Sequence, residues 1–317
     1  MENFMSALPS AISQGLIWGI MAIGVYITFR ILDVSDLTVD GSFCTGGVTF
    51  VVLFSGGMNI WLALLCAFIV GMLTGLVTGL LHTACGIPAI LAGILTQLGL
   101  WSVNLAIMDM KANVSINVIN KESLDKLLVS LRFVQDVAKG ARPFWQHPIF
   151  VVGVFTLAIV GLLYWFFGTE LGCSMRATGS NPNMARAQGI NTNRNVVLAM
   201  MLANGLVALS GALLAQFQSY GDINMGRGAI VIGLAAVIIG EVVFSRIFRN
   251  FALKLLAVSL GAVIYYVVIQ AVLSFGKINS NYLKLISATI VAIFLSVPYW
   301  KGKYFTKPVK RGGTTHA

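Results

Sequence analysis

Long apolar runs separated by short polar segments form the dominant pattern of this chain. Nine of them approach the length of about 20 residues that a helix needs to cross the hydrocarbon core of a bilayer. They cover residues 8–28, 37–54, 61–81, 87–108, 149–167, 196–217, 229–244, 253–275 and 283–300. Because hydrocarbon offers the backbone no hydrogen-bonding partners, each run must be helical. The pattern predicts an all-α, polytopic membrane protein with about nine transmembrane helices in one domain over residues 1–300.

Composition supports a lipid environment. Of the 317 residues, 57% are apolar and only 10% are charged, whereas soluble domains carry about 25% charged residues. A secreted disulfide scaffold, a disordered regulator and an ordinary cytosolic enzyme are therefore excluded. The four cysteines show no CxxC spacing, so no zinc site is indicated. The first residues lack the positive start of a cleaved signal peptide, and the first apolar run is interpreted as a retained span.

The basic residues indicate how the chain is oriented. The net charge is +10, and Lys and Arg concentrate in residues 169–195, in residues 246–254 and in a basic tail over 301–317. Cytoplasmic loops carry such an excess, which predicts an outer N-terminus, an inner C-terminus and an outward segment over 109–145. These basic residues flank apolar runs instead of forming a dense patch with aromatics, so nucleic acid is not an expected partner. The expected surroundings are the lipid bilayer.

The outer segment 109–145 is expected to contain an amphipathic helix. Leu124, Leu127, Leu128 and Leu131 recur at helical spacing, and Gly140 is a plausible stop. Such a helix would rest on the bilayer surface or on the protein's own outer ends. The alternative is that it docks a soluble extracellular partner.

Small and ionisable residues mark two further features of the spans. Gly71, Gly75 and Gly79 form two overlapping G-x-x-x-G units, which predict close helix packing. Asp40 and Glu241 are expected to make contacts inside the protein and are candidates for pathway or gating roles, because charges in a span are costly. For Asp33 and Asp36, in the irregular and hydrated approach to the second span, a solvated loop or a helix cap is the alternative to a functional role.

No catalytic constellation is visible. The three histidines are scattered, and neither H-E-x-x-H, G-x-S-x-G nor a phosphate-binding loop occurs. We therefore expect no enzyme activity, no metal and no cofactor. If transport by this chain uses ATP, another subunit must hydrolyse it.

The polar stretch 168–195 carries clear helix signals. Asn181 is a good N-cap, Pro182 suits the first helical position and Gly189 suits the position after the C-cap. They predict a helix over 182–188 that is too short to be stable alone and needs a surface to pack on. That surface is either another protein or the chain's own bundle.

The same stretch resembles the coupling loop of ATP-binding cassette (ABC) importer permeases of the branched-chain amino acid and ribose group. The likeness rests on Arg176-Ala177, Gly179, Asn181, Ala185 and Gly189-Ile190-Asn191, and LDVSDLTVDGSF, IPAILAGILTQLG and GRGAIVIGLAAVIIG agree in order. LDVSDLTVDGSF in particular resembles permeases of a tryptophan or tyrosine uptake branch. One departure is that Met184-Ala185-Arg186 stands where the general signature has Glu-Ala-Ala, so the face that would contact an ATPase stays open.

The resemblance implies a permease bundle, a second permease copy that forms a homodimer or pseudo-dimer with the first, a separate ABC ATPase and an extracellular or periplasmic substrate-binding protein. It also implies that one set of loop residues couples the permease to the ATPase: Arg176, Gly179, Asn181, Pro182, Ala185, Arg186 and Gly189. The function hypothesis is a subunit of an ATP-driven importer for a small solute, an amino acid and more narrowly an aromatic one. The alternatives are an ion-coupled secondary transporter, a permease of the same family for a sugar or nucleoside, and a membrane scaffold without transport.

Overall fold

The computed structural model describes residues 2–116, 127–138, 143–244, 248, 250–276 and 283–300. These residues form 12 α-helices and one two-stranded sheet. The helices are α1 (Glu2–Tyr26), α2 (Val39–Ser55), α3 (Ile60–Thr83), α4 (Ala89–Ile107), α5 (Leu131–Ala138), α6 (Pro148–Gly168), α7 (Glu170–Ser180), α8 (Pro182–Ala187), α9 (Thr192–Gln218), α10 (Ala229–Phe244), α11 (Phe251–Gly276) and α12 (Leu283–Trp300). The strands are β1 (Asn113–Ser115) and β2 (Tyr220–Asp222), and a π-helical turn, Ile27–Ile31, extends α1.

The predicted all-α, polytopic architecture is confirmed. Each of the nine predicted spans coincides with a helix. Within the described ranges, six helices are long and apolar enough to cross a bilayer: α1 with its π-turn, α3, α4, α6, α9 and α11. The helices α2 and α10 are apolar but shorter, at 17 and 16 residues. The count of nine is therefore approximate, because the bundle contains both full spans and shorter helices.

Helix α9 lies at the centre of the bundle. It shares this position with α1: 67% of the residues in the most apolar part of α9 and 78% of those in α1 are buried, against 28% for α4 and for α6. The glycine stripe of α3 lies against α9: a Cβ added to Gly71 would meet Ala208 and one added to Gly75 would meet the carbonyl of Met200. Gly79 approaches Val197 in the same way. Small residues therefore let these two backbones come close together.

Two connections are partly buried in the bundle. Residues 32–38, between the π-turn and α2, are irregular, and Asp36 and Thr38 within them are buried. After β2, residues 223–228 return along α2, so that Gly226 lies against the carbonyl of Asp40 near the start of that helix. Helix α10 therefore begins within the bundle, which accounts for its shortness.

A small antiparallel sheet joins distant parts of the chain. Strand β1 follows α4 and pairs with β2, which follows α9, with Val114 opposite Gly221. The hydrophobic pattern of the sequence does not predict these three-residue strands. They place the segment after α4 and the segment after α9 at the same end of the bundle.

Among the described residues of the outer segment, the helix α5 begins at Leu131 and not at Leu127. Leu124 lies outside the described residues, Leu127 and Leu128 precede the helix, and α5 starts at Leu131. Leu127 and Phe133 are buried, and α5 contacts α1 and α6. This apolar face therefore packs on the protein itself.

Candidate functional site

The short helix α8 is capped at both ends. The side-chain oxygen of Asn181 accepts a hydrogen bond from the Met184 N–H at 3.0 Å, and Pro182 occupies the first turn. Gly189 has φ +79°, and its N–H donates to the Arg186 carbonyl at 3.0 Å while the Ile190 N–H donates to the Ala185 carbonyl. This is a Schellman end, in which a left-handed glycine satisfies the last carbonyls. The caps lie where the sequence predicts them.

Most of α8 is exposed. Ala185 is 3% exposed and rests on the bundle, whereas Met184 is 64% exposed and the other residues of the helix are exposed as well. The Arg186 Nε donates to the Thr192 Oγ1 at 2.8 Å, which fastens α8 to the start of α9. The helix is therefore held in place but leaves a broad face free.

Helix α7, which the sequence did not predict, connects α8 to the end of α1. An added Cβ on Gly179 would collide with the Ile31 carbonyl, so the two backbones touch there. The Arg176 guanidinium lies 5.8 Å from the centre of the Phe251 ring, a distance typical of a cation–π contact. The Asn195 amide donates to the Thr178 Oγ1 at 2.9 Å and joins α7 to α9.

The same end of the bundle gathers several connections. Leu32 after the π-turn and His82 at the end of α3 line one cavity with Gly179, Pro182 and Arg186. Its volume is about 390 Å³. The 169–195 segment, the end of α1 and the end of α3 therefore lie together, opposite to the β1–β2 sheet.

A buried polar cluster connects residues 32–38 to the middle of α9. Asp36, 2% exposed, accepts hydrogen bonds from the Thr38 N–H at 2.9 Å and from the Asn204 amide at 2.6 Å. The Ser42 hydroxyl donates to the Asn204 side-chain oxygen at 2.5 Å. Of the two alternatives for Asp36, a solvated loop is therefore wrong. Asp33 is exposed, with φ +57°.

Threonines extend this cluster across the bundle. The Thr38 and Thr78 hydroxyls lie 2.7 Å apart, and Thr78 donates to Thr96 at 3.0 Å. Thr74 donates to Ser42 at 3.1 Å. Hydroxyl groups from α3 and α4 are thus bonded to the start of α2, where Thr38 and Ser42 are buried, whereas Asp33 and Ser35 earlier in the approach are exposed.

Asp40 and Glu241 lie near opposite ends of α10 and do not meet. The Asp40 carboxylate accepts from the Gly228 N–H at 2.8 Å and from the Ile230 N–H at 2.9 Å, so it caps the first turn of α10. The Arg30 Nε donates to Glu241 at 2.8 Å, and a second bond makes the pair bidentate. Both acids are thus engaged with the protein.

A second cavity, of about 320 Å³, opens beside Asp40 between α2, α4 and residues 223–228. Its wall includes the Arg227 guanidinium, which lies 5.0 Å from the centre of the Trp101 ring. Gln97 and Asn104 of α4 add amide groups. This cavity is a candidate position for a solute.

Sequence reasoning missed Asn204, Arg227 and Trp101. An amide in the middle of an apolar run, such as Asn204, is itself a signal, because it needs a partner in the membrane. Arg227 gave a weaker signal, since a single arginine beside a span reads as a loop residue. In the part of the chain that is described, no three His, Cys, Asp or Glu residues group as a metal site would require.

Several known proteins are similar to this chain. The family described as "Branched-chain amino acid transport system / permease component" matches residues 8–295. The tyrosine transport system permease protein of Clostridioides difficile (strain R20291) is 36% identical over 296 residues, covering 92% of this chain and 91% of that protein. An uncharacterized protein of Rickettsia prowazekii (strain Madrid E) is 33% identical, with 92% and 98% covered.

A more distant relative is named for the import of a different solute. The autoinducer 2 import system permease protein LsrC of Salmonella typhi is 24% identical over 243 residues, covering 75% of this chain and 63% of that protein. No solved structure matches the chain significantly.

Proposed function

The chain belongs to the branched-chain amino acid transport permease family, and on that premise we propose that it is the membrane-spanning subunit of an ABC importer for an amino acid. It is a multi-pass protein of the cell membrane, with several long apolar helices. The proposal adds its partners: a separate ATPase at the 169–195 end, a substrate-binding protein at the opposite end, and a second copy of the permease.

The observation that carries this proposal is the state of α8. The helix is capped at both ends, yet all of it except Ala185 is exposed. A helix of about two turns has little stability of its own in water, so its caps and its seat on the bundle fix a surface that is available to another protein. Met184, at 64% exposed, is the most prominent apolar side chain of that surface. We assign the ATPase contact to this face.

A continuous set of contacts leads from α8 into the bundle. Helix α7 follows directly before α8, and Gly179 within it touches the carbonyl of Ile31. Ile31 ends the π-turn, and the next residues lead to Asp36, which is bonded to Asn204 in the central helix. Displacement of α8 by an ATPase would therefore reach the partly buried segment 32–38. Such coupling requires a segment that can adopt two conformations, and we assign this role to residues 32–38.

The substrate class follows from the relatives. The Clostridioides difficile protein is named as a tyrosine transport permease, which favours an amino acid and more narrowly an aromatic one. Uptake of a sugar or nucleoside but of no amino acid would replace this substrate class and leave the role of the subunit intact.

The test is co-purification of the full-length permease with its candidate ATPase in mild detergent, followed by uptake assays in proteoliposomes. Met184→Glu should weaken the association at least tenfold, because it places a charge on the free face of α8. Met110→Glu is the matched control: Met110 is 75% exposed, beyond the end of α4 and towards the sheet. It should leave the association unchanged.

Three results would overturn the proposal. The first is the lack of any stable association between the wild-type permease and the ATPase. The second is uptake that persists without ATP and collapses with an ion gradient, which would indicate the secondary-transporter alternative. The third is expression without any uptake, with the ATPase and binding protein present, which would favour the scaffold.

A further inference from the structure

The cavity beside Asp40 combines groups that the fold itself does not use. It is lined by side chains of α2, of α4 and of the segment that leads into α10. Its volume of about 320 Å³ lies at the lower end of the range of small-molecule sites, about 300–1,000 Å³. A solute of amino-acid size therefore fits, whereas a large ligand does not.

Arg227 brings an uncompensated cation to this cavity. The nearby Asp40 carboxylate is already occupied by the backbone N–H groups of Gly228 and Ile230. Arg227 is exposed, and no described acidic residue forms an ion pair with it. Its guanidinium carbon lies 5.0 Å from the centre of the Trp101 ring, and this contact does not use the guanidinium N–H groups as donors to an oxygen, so they are available to an anion. A carboxylate is the group that such a fork binds in two places.

Asn104 provides a second unsatisfied group. It lines the cavity, it is 2% exposed, and its side-chain oxygen has no hydrogen-bond donor among the residues that the structure describes. A buried acceptor without a partner is costly. A ligand that carries a donor, such as an ammonium group, and reaches the floor of the cavity would satisfy it. Gln97, two turns earlier in α4, adds a further amide.

We propose that this cavity is a binding site for the carboxylate and ammonium groups of a free α-amino acid on its way through the permease. Arg227 binds the carboxylate, Asn104 accepts from the ammonium group, and the exposed edge of Trp101 lies beside the solute's side chain. The inference rests on the proposed function and deepens it, because it assigns part of the substrate recognition to the permease itself. Asp40 then acts as a positioning residue: it fixes the start of α10 and leaves Arg227 free for the solute.

Ligand binding to the permease alone tests this site. The full-length protein, in its native oligomeric state in lipid nanodiscs, is mixed with L-tyrosine or with tyramine, which lacks the carboxylate. Saturation-transfer difference NMR then reports binding through the ring protons of the probe. Wild-type protein should give a signal for L-tyrosine at least fivefold stronger than that for tyramine.

Variants separate a recognition role from a structural one. Arg227→Gln should lower the L-tyrosine signal to that of tyramine, and Arg227→Lys should retain part of the difference, because it keeps the charge but loses the fork. Arg194→Gln is the matched control, since Arg194 is an exposed arginine at the start of α9 and outside the cavity. It should bind as the wild type does. Unchanged thermal midpoints would exclude misfolding of the variants.

The inference is overturned if Arg227→Gln binds L-tyrosine as well as the wild type, if tyramine binds equally well, or if the wild-type permease binds neither probe. None of these results bears on the association with an ATPase or on ATP-dependent uptake. Failure of this site and failure of the proposed function are therefore distinguishable.

Discussion

The side-chain amide of Asn204 donates a hydrogen bond to the Asp36 carboxylate at 2.6 Å, across 168 positions of sequence. One residue lies in the middle of the central helix α9, and the other lies in the irregular segment between α1 and α2. Both are buried, so the bond satisfies two polar side chains that have no access to water. This contact fixes how residues 32–38 sit in the bundle.

Replacing Asn204 by leucine should destabilise the protein strongly. The change removes one hydrogen bond from the buried Asp36 carboxylate, and bonds to charged groups contribute about 1.5–3 kcal/mol. We expect a lower free energy of unfolding by about that amount, measured by thermal or denaturant unfolding in detergent.

An exchange of the two side chains provides the control. In the double variant Asp36→Asn with Asn204→Asp, a carboxylate and an amide still face each other, with their positions reversed. It should recover most of the lost stability. If the double variant is destabilised as much as Asp36→Asn alone and Asn204→Asp alone, the contact between the two side chains contributes little to stability.

Gly179→Ala should disturb the contact between α7 and α1. The new Cβ would meet the Ile31 carbonyl, which is backbone and cannot rotate away, and overpacking of this kind costs about 1–3 kcal/mol. Gly161→Ala, in α6, is the control, because a Cβ there meets nothing within 4 Å. If α7 links α8 to the bundle, ATP-dependent uptake should fall in Gly179→Ala and persist in Gly161→Ala. Equal uptake would argue against α7 as a link.

Asn181→Ala should loosen α8 without unfolding the bundle. It removes the acceptor for the Met184 N–H, and the loss of an N-cap costs about 1 kcal/mol. Amide hydrogen exchange in α8 should therefore become about fivefold faster. Asn181→Asp keeps the cap and should exchange as slowly as the wild type. Unaltered exchange in the alanine variant would mean that packing of Ala185, and not the cap, holds the helix.

The ion pair between Arg30 and Glu241 should contribute little to stability. Their side chains are 53% and 32% exposed, and exposed pairs are worth about 0.2–1 kcal/mol. A double-mutant cycle with Arg30→Gln and Glu241→Gln should give a coupling energy in that range, and it should shrink as salt is added. A larger coupling that resists salt would indicate that the pair is shielded by a partner in the membrane.

Much of the helical architecture could be predicted from sequence because apolar runs and caps are local signals. Asn181, Pro182 and Gly189 define α8 through interactions within a few residues, and they occupy their predicted places. The spans follow from the cost of exposing backbone to lipid. Signals within a few residues of one another were therefore sufficient to predict both α8 and the spans.

The features that sequence reasoning missed depend on contacts between distant segments. Asp36 reads as a loop residue until Asn204 is placed beside it, and Asp40 reads as a charge in a span until the segment 223–228 folds back along α2. The strands of the small sheet are three residues long and carry no alternation that could identify them. Each of these features required the tertiary arrangement.

The sheet formed by β1 and β2 also sets an order on biosynthesis. Val114 leaves the ribosome long before its partner Gly221, and the helices α5 to α9 are made in between. The first four helices therefore enter the bilayer with β1 unpaired, and β1 can pair with β2 only once α9 has crossed. Truncation before β2 should consequently leave a product that membrane quality control recognises and degrades.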